Sequence, residues 1–120
     1  MSELTGALGE VLAGRYLREN GYRIVSANYR TRMGEIDIVA EKNGVLVFIE
    51  VKTRSEGMIA LPSESVGREK QRRIVRAAGL YLRAEPSGRK TRFDVIEVYL
   101  DSADNLQKIN HIQNAFDSSI

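Results

Sequence analysis

Apolar and polar positions along the chain alternate between helical and strand spacing, and the changes mark the elements. From about Ser2 to Asn20, Leu4, Leu8, Val11 and Leu12 recur at helical intervals, and Gly21 stands where a left-handed C-cap is expected. Tyr22–Tyr29, with Ile24 and Val25 at its centre, reads as a strand. From Gly34 to Arg54, two β-rich runs flank Asn43-Gly44, a pair that favours a two-residue hairpin turn. Such a turn sets Lys42 against Val45, and therefore Val39 against Phe48, Asp37 against Glu50 and Glu35 against Lys52. Ile36, Ile38, Ala40, Val45, Val47, Ile49 and Val51 then share one apolar face. A loop is expected over Arg54–Pro62, with Met58 and Ile59 as its apolar content. A second helix is expected to start between Ser63 and Arg68 and to run to about Ala84, burying Val66, Ile74, Ala77, Ala78 and Tyr81. Arg92–Leu100 reads as a fourth strand. The tail, with Ile109, Ile112, Ala115 and Phe116, reads as a short strand or turn followed by one helical turn.

This pattern brings particular charges together. Facing residues of an antiparallel pair have Cβ atoms about 4.5–5.5 Å apart, so Asp37 and Glu50 are expected side by side, with Lys52 one pleat further on. Adjacent carboxylates repel unless a shared proton or a divalent cation neutralises them. Mg²⁺ takes one or two carboxylates plus water and phosphate oxygens, and this pair supplies that set. An ordinary solvated charge ladder of Glu35, Asp37, Glu50 and Lys52 is the plainer alternative. Glu10 has only the small residues Gly6, Ala7, Ala13 and Gly14 at helical reach, which suits either close approach to packed structure or a surface position. Lys70 falls on the apolar face of the second helix, either reaching an acid or phosphate or snorkelling to solvent. Arg68, Arg72, Arg76 and Arg83 line the opposite face, as a phosphate track or a solvated surface. Asp94, beside Arg92, reads as a structural partner for a basic side chain, and His111 as structural.

Composition narrows the classes. At 120 residues the chain suits one domain, 1–120, with a genuine core. A hydrophobic content of 42% and a charged content of 28% belong to globular proteins. With no cysteine, disulfides and thiolate metal sites are excluded, and a reducing cytoplasm is the expected compartment. No signal-peptide pattern or membrane-length apolar run is present, so no membrane partner is expected. The net charge of +2 says little about nucleic acid, which leaves the distribution of charge to decide.

Asp37 followed by Glu50-Val51-Lys52 on the next strand resembles the signature of the PD-(D/E)xK nuclease superfamily, the restriction-endonuclease-like fold. Gly9-Glu10, Gly34–Asp37, Phe48–Arg54, Lys70-Gln71-Arg72-Arg73, Arg92-Phe93-Asp94 and the closing His111–Phe116 are similar to the YraN-like family of uncharacterised bacterial proteins, over nearly the whole chain. Ile36 stands where the superfamily's name has proline, and Gly67 where a capping Ser, Thr or Asp is expected. The resemblance implies an α/β fold with an α-β-β-β-α-β core, a mixed central sheet flanked by helices, and strands three and four parallel across a helical crossover. It implies Mg²⁺ or Mn²⁺ held by Asp37, Glu50, the Val51 carbonyl and Glu10, with Lys52 activating water and Lys70 in support. Arg54, Lys70, Gln71, Arg72 and Arg73 are the implied nucleic-acid contacts. The implied reaction is hydrolysis of phosphodiester bonds in DNA, and similarity to Holliday-junction resolvases points to branched or structured substrates and to a homodimer. A nucleic-acid-binding or assembly protein that keeps the fold with little or no catalysis is the alternative.

Overall fold

The protein is described by a computed structural model over residues 3–55 and 66–119. Helix α1, Glu3–Glu19, ends where Gly21 takes a φ of 86° and the Tyr22 N–H reaches back to the Leu17 carbonyl at 2.9 Å. Strands β1 (Arg23–Thr31), β2 (Gly34–Lys42) and β3 (Val45–Ser55) follow, then helix α2 (Arg68–Ala84) and strands β4 (Lys90–Leu100) and β5 (Leu106–Phe116). The sheet runs β1-β2-β3-β4-β5; β3 and β4 are parallel, and every other neighbouring pair is antiparallel. Parallel neighbours cannot be joined by a tight turn, and α2 lies in their connection. The result is the expected α/β class: a mixed sheet with helices against it, in the expected α-β-β-β-α-β succession. Residues 56–65, which include Met58, Ile59 and the earliest expected start of the second helix, lie outside the described residues. Among the described residues no helix is long and apolar enough to cross a membrane.

Asn43 and Gly44 both have positive φ, 52° and 78°, as a two-residue turn matched to strand twist requires. The turn sets Lys42 against Val45 and Val39 against Phe48, as expected. Strand alternation then sends side chains to two cores. On one face Val39, Leu46, Phe48, Phe93 and Val95 pack against Ile74, Ala77, Ala78 and Tyr81 of α2. On the other, Ile38, Ala40, Val47, Ile49, Ile96 and Val98 pack against Leu12, Ala13 and Leu17 of α1.

Two expectations are corrected. The buried stripe of α1 is Leu12, Ala13 and Leu17, whereas Leu4 and Val11 are 83% and 66% exposed. The reason is Gly9: a Cβ there would lie 1.9 Å from Thr53 Oγ1, so α1 meets β3 along its glycine side and turns Val11 outward. The tail is an 11-residue strand, β5, with no helical turn among the described residues. It completes the hydrogen bonds of β4, which would otherwise be a sheet edge, and its terminal Phe116 stacks on Phe93 with centroids 5.1 Å apart.

Candidate active site

The β2–β3 ladder runs from Lys42–Val45 to Ile38–Ile49 and stops there. The next pair would have been Asp37 and Glu50. Instead the Asp37 carboxylate takes the place of a backbone acceptor, with the Val51 N–H donating to its Oδ2 at 2.8 Å. Side-chain alternation fails at the same point: Ile36 packs with the α2 core although Ile38 packs with the α1 core. The expected pairing of Glu35 with Lys52 is therefore not formed. Glu35 lies 3.6 Å from Arg30 across the β1–β2 pair instead.

Glu50 is 3% exposed. Its Oε1 accepts from Lys70 Nζ at 2.7 Å. Its Oε2 is buried and, among the described residues, has no hydrogen-bond donor. Asp37 serves as a partner only when one of the two acids carries a proton. Burial first, and then the negative field of Asp37, push the Glu50 carboxyl up to about 7, while Lys70 pulls the other way. Burial likewise raises Asp37, against the Val51 N–H and the Lys70 charge. Burial opposes the Lys70 ammonium, yet its hydrogen bond to Glu50 and the fields of Glu50, Asp37 and Glu35 hold its pKa above the ordinary value. Both acids are thus held above their ordinary values, with Lys70 the one positive charge that favours their ionised forms.

Glu10 reaches this centre from the other side of the sheet. The close Gly9–Thr53 approach sets it at a groove of about 700 Å³ that it lines with Val11, Arg30, Asp37 and Ile38. It is half-buried, and its carboxyl is raised by burial, then by Asp37 and Glu35, with Arg30 opposing. No three Asp, Glu, His or Cys side chains among the described residues come together at ligand spacing. The carboxylate pair is thus Asp37 and Glu50, with Glu10 acting on it as a nearby charge. Val51 is fixed beside the pair by its N–H bond to Asp37 and by its pairing with Ile96.

Lys52 follows Glu50 by two residues on β3 and lines a small cavity with Arg54, Val66 and Gln71. It makes no ion pair among the described residues. The residues expected to contact nucleic acid separate into two groups. Arg54 is 6% exposed and pairs with Glu97, Nη2 to Oε2 at 3.1 Å, so its charge is spent inside the sheet. Gln71 donates to the Val66 carbonyl at 2.7 Å and steadies the start of α2, where the extended Gly67 offers no side-chain cap. Arg72 and Arg73 face outward and flank Glu69 at 3.8 and 3.7 Å. The role of Gly9 was not singled out from sequence, because the clash it avoids comes from β3. A second buried charge centre was legible only as Arg92 beside Asp94. Its other members, His111 and Asn114, come from β5.

Fold and site together define an α/β protein whose mixed sheet opens at β2 and β3 around a carboxylate pair, Glu50 buried and Asp37 half-buried, partly neutralised by Lys70. The chain matches the family model described as Uncharacterised protein family UPF0102 over residues 9–98, a span that contains Glu10, Asp37, Glu50, Lys52 and Lys70. It is 50% identical over 119 residues to a UPF0102 protein of Alkaliphilus oremlandii, covering 97% of this chain and all of that one. A UPF0102 protein of Symbiobacterium thermophilum is 46% identical over 119 residues, with 97% and 98% covered. One from Caldanaerobacter subterraneus is 43% identical over 113 residues, with 92% and 93% covered. The chain belongs to the UPF0102 family, the YraN-like family.

Proposed function

We propose that this protein is a divalent-metal-dependent nuclease of the PD-(D/E)xK type that hydrolyses phosphodiester bonds in DNA. The observation that carries the proposal is the Asp37–Glu50 pair, in which the buried Glu50 Oε2 has no donor among the described residues, while Lys52, two residues on along β3, makes no ion pair among them. Burying a carboxylate oxygen without a partner is costly, and sites that bind cations are where such a cost is found. Two adjacent carboxylates, hard oxygen donors, fit Mg²⁺ or Mn²⁺. Asp37 and Glu50 would hold the ion; when bound, it supplies charge neutralisation at the phosphate and lowers the pKa of water. The chain's own residues do the rest. Lys52 donates to the attacking water or to the phosphate oxygens as negative charge builds on them. Lys70 keeps Glu50 Oε1 in place and its charge in balance before the cation arrives. Glu10 adds negative potential from the α1 side. Hydrolysis puts the water's hydroxyl on phosphorus and a proton on the leaving oxygen.

Calorimetric Mn²⁺ titration combined with single-turnover cleavage of single-stranded, duplex, flap and four-way DNA tests this. Asp37→Asn and Glu50→Gln are expected to lose Mn²⁺ binding while remaining folded. Lys52→Met is expected to keep Mn²⁺ binding and lose about 10²–10³ in rate, the size of one transition-state donor. Absence of Mn²⁺ binding by the parent protein, or no cleavage of any of the four DNA forms, refutes the nuclease and leaves a nucleic-acid-binding protein with this fold.

A further inference from the structure

The turn between β1 and β2 carries Arg32 and Met33, and it is fastened at both ends. Thr31 Oγ1 accepts the N–H groups of Met33 at 3.0 Å and Gly34 at 3.1 Å, and donates its own proton to the Gly34 carbonyl at 2.8 Å. One hydroxyl thereby uses all its hydrogen-bonding capacity on three bonds across the turn. Gly34 seats the turn on α2: a Cβ there would lie 2.7 Å from the Arg73 carbonyl oxygen. Met33 is nonetheless 40% exposed. Its side chain stands at a groove of about 970 Å³ that runs between the turn and α2, with Lys70, the partner of Glu50, in its wall. A second, smaller groove of about 310 Å³ also meets Met33 and is lined by Arg32, Arg76 and Arg83.

Charge along this path is unbalanced. Glu69 is engaged by Arg72 and Arg73, and Glu35 by Arg30. Arg32, Arg68, Arg76 and Arg83 make no ion pair or side-chain hydrogen bond among the described residues. At 1.5 Å per residue, Arg68 to Arg83 spans about 22 Å, the rise of six or seven base pairs. An apolar side chain on a fixed turn, flanked by free cations, is the arrangement of a wedge entering a base step while phosphates are held beside it.

We infer, resting on the DNA reading above, that Met33 is the specificity-determining wedge of this protein. It fills an unstacked step at a branch while Arg32, Arg68, Arg76 and Arg83 hold the flanking duplex on the groove whose wall contains Lys70, the partner of Glu50. Opening a stacked step costs a few kcal/mol, and least where the step is already open. A wedge therefore turns uniform backbone affinity into preference for a branch.

Binding of a four-way junction and of the matching duplex, measured by anisotropy in EDTA, tests the inference, with 2-aminopurine placed at the branch. The parent is expected to favour the junction and to raise 2-aminopurine fluorescence. Met33→Ala is expected to hold duplex affinity within twofold, reduce the junction preference about tenfold and abolish the fluorescence rise. Arg76→Ala and Arg83→Ala are expected to weaken both DNA forms alike and to lower the salt slope by about one each. A Met33→Ala protein that keeps both junction preference and fluorescence rise overturns the wedge, as does a parent that binds both forms equally. Because EDTA removes cleavage from the readout, failure of the nuclease reading appears separately, as intact junction binding without cutting in Mg²⁺.

Discussion

Two aspartates, Asp37 half-buried and Asp94 fully buried, sit at breaks in the same sheet, and they are treated in opposite ways. Asp37 takes the Val51 N–H at 2.8 Å where the β2–β3 ladder ends. Asp94 takes the Asn114 N–H at 3.0 Å where the β4–β5 register shifts and Asn114 turns to a φ of 52°. Around Asp94 the protein closes a complete network. Arg92 donates to both its oxygens at 2.8 Å, and His111 Nε2 lies 2.7 Å from Oδ2. An ionised carboxylate only accepts, so Nε2 carries a proton, and Nδ1 lies 2.9 Å from the Tyr16 hydroxyl. Burial pushes the Asp94 carboxyl up, but the His111, Arg92 and Asn114 hydrogen bonds outweigh it and hold it below the ordinary value. Around Asp37 the second acid, Glu50, is added instead, with Lys70 alone as its ion-pair partner among the described residues. Burial then wins and both carboxyls rise. The difference separates a clamp from the centre proposed to take a cation: a satisfied buried acid holds β5 and α1 to the sheet, while the pair with raised carboxyls is left with one lysine.

Removing the clamp gives the largest expected effect. Asp94→Ala leaves Arg92 and His111 facing an empty position and is expected to cost about 3 kcal/mol, lowering Tm by roughly 10 °C with Mn²⁺ affinity retained. Thermal melting beside calorimetry checks this, and loss of Mn²⁺ binding in a folded Asp94→Ala protein would merge the two centres into one.

The pH dependence of stability sharpens the contrast, because the two acids act with opposite sign. Glu50 in the fold titrates at about 7, above its ordinary 4.5, so its proton stabilises the folded state. That contribution is full below about pH 4.5 and is lost as pH rises through 7, up to about 3 kcal/mol. Asp94 is shifted below 3.8, so its contribution is present above that value and is lost on further acidification. Melts in EDTA between pH 4.5 and 8.5 are expected to show Tm falling with pH, flattened by Glu50→Gln and reversed at pH 8 by Mg²⁺. An unchanged slope in Glu50→Gln would show that Glu50 is not the titrating group.

The smallest effect is expected at Glu10. Glu10→Gln removes one nearby charge from the pair without touching the core, and is expected to weaken Mn²⁺ binding and cleavage by about tenfold, the equivalent of one pKa unit. Melting should move by no more than about 1–2 °C. A larger loss of Tm with normal cleavage would make Glu10 a packing residue.

The elements and the hairpin register were legible in the sequence because they rest on local chemistry. Asn43-Gly44 adopts the positive φ pair its turn requires, Gly21 ends α1, and the apolar face of α2 is the one its spacing marks. Asp37 and Glu50 were legible as neighbours because a turn counted back along two strands brings them close, although the ladder itself ends one pair earlier. The orientation of α1 was not legible, because the Gly9–Thr53 approach joins residues 44 positions apart and outweighs the intrinsic preference of Leu4 and Val11 for burial. Nor was the extent of β5, which is fixed by the open edge of β4 more than by its own mixed pattern. The sequence by itself determined which acids would meet. Only the tertiary structure decided which would be neutralised, because counter-ions are assigned through space: His111 and Asn114 arrive at Asp94 from β5, Glu97 takes Arg54 away, and Lys70 reaches Glu50 from α2.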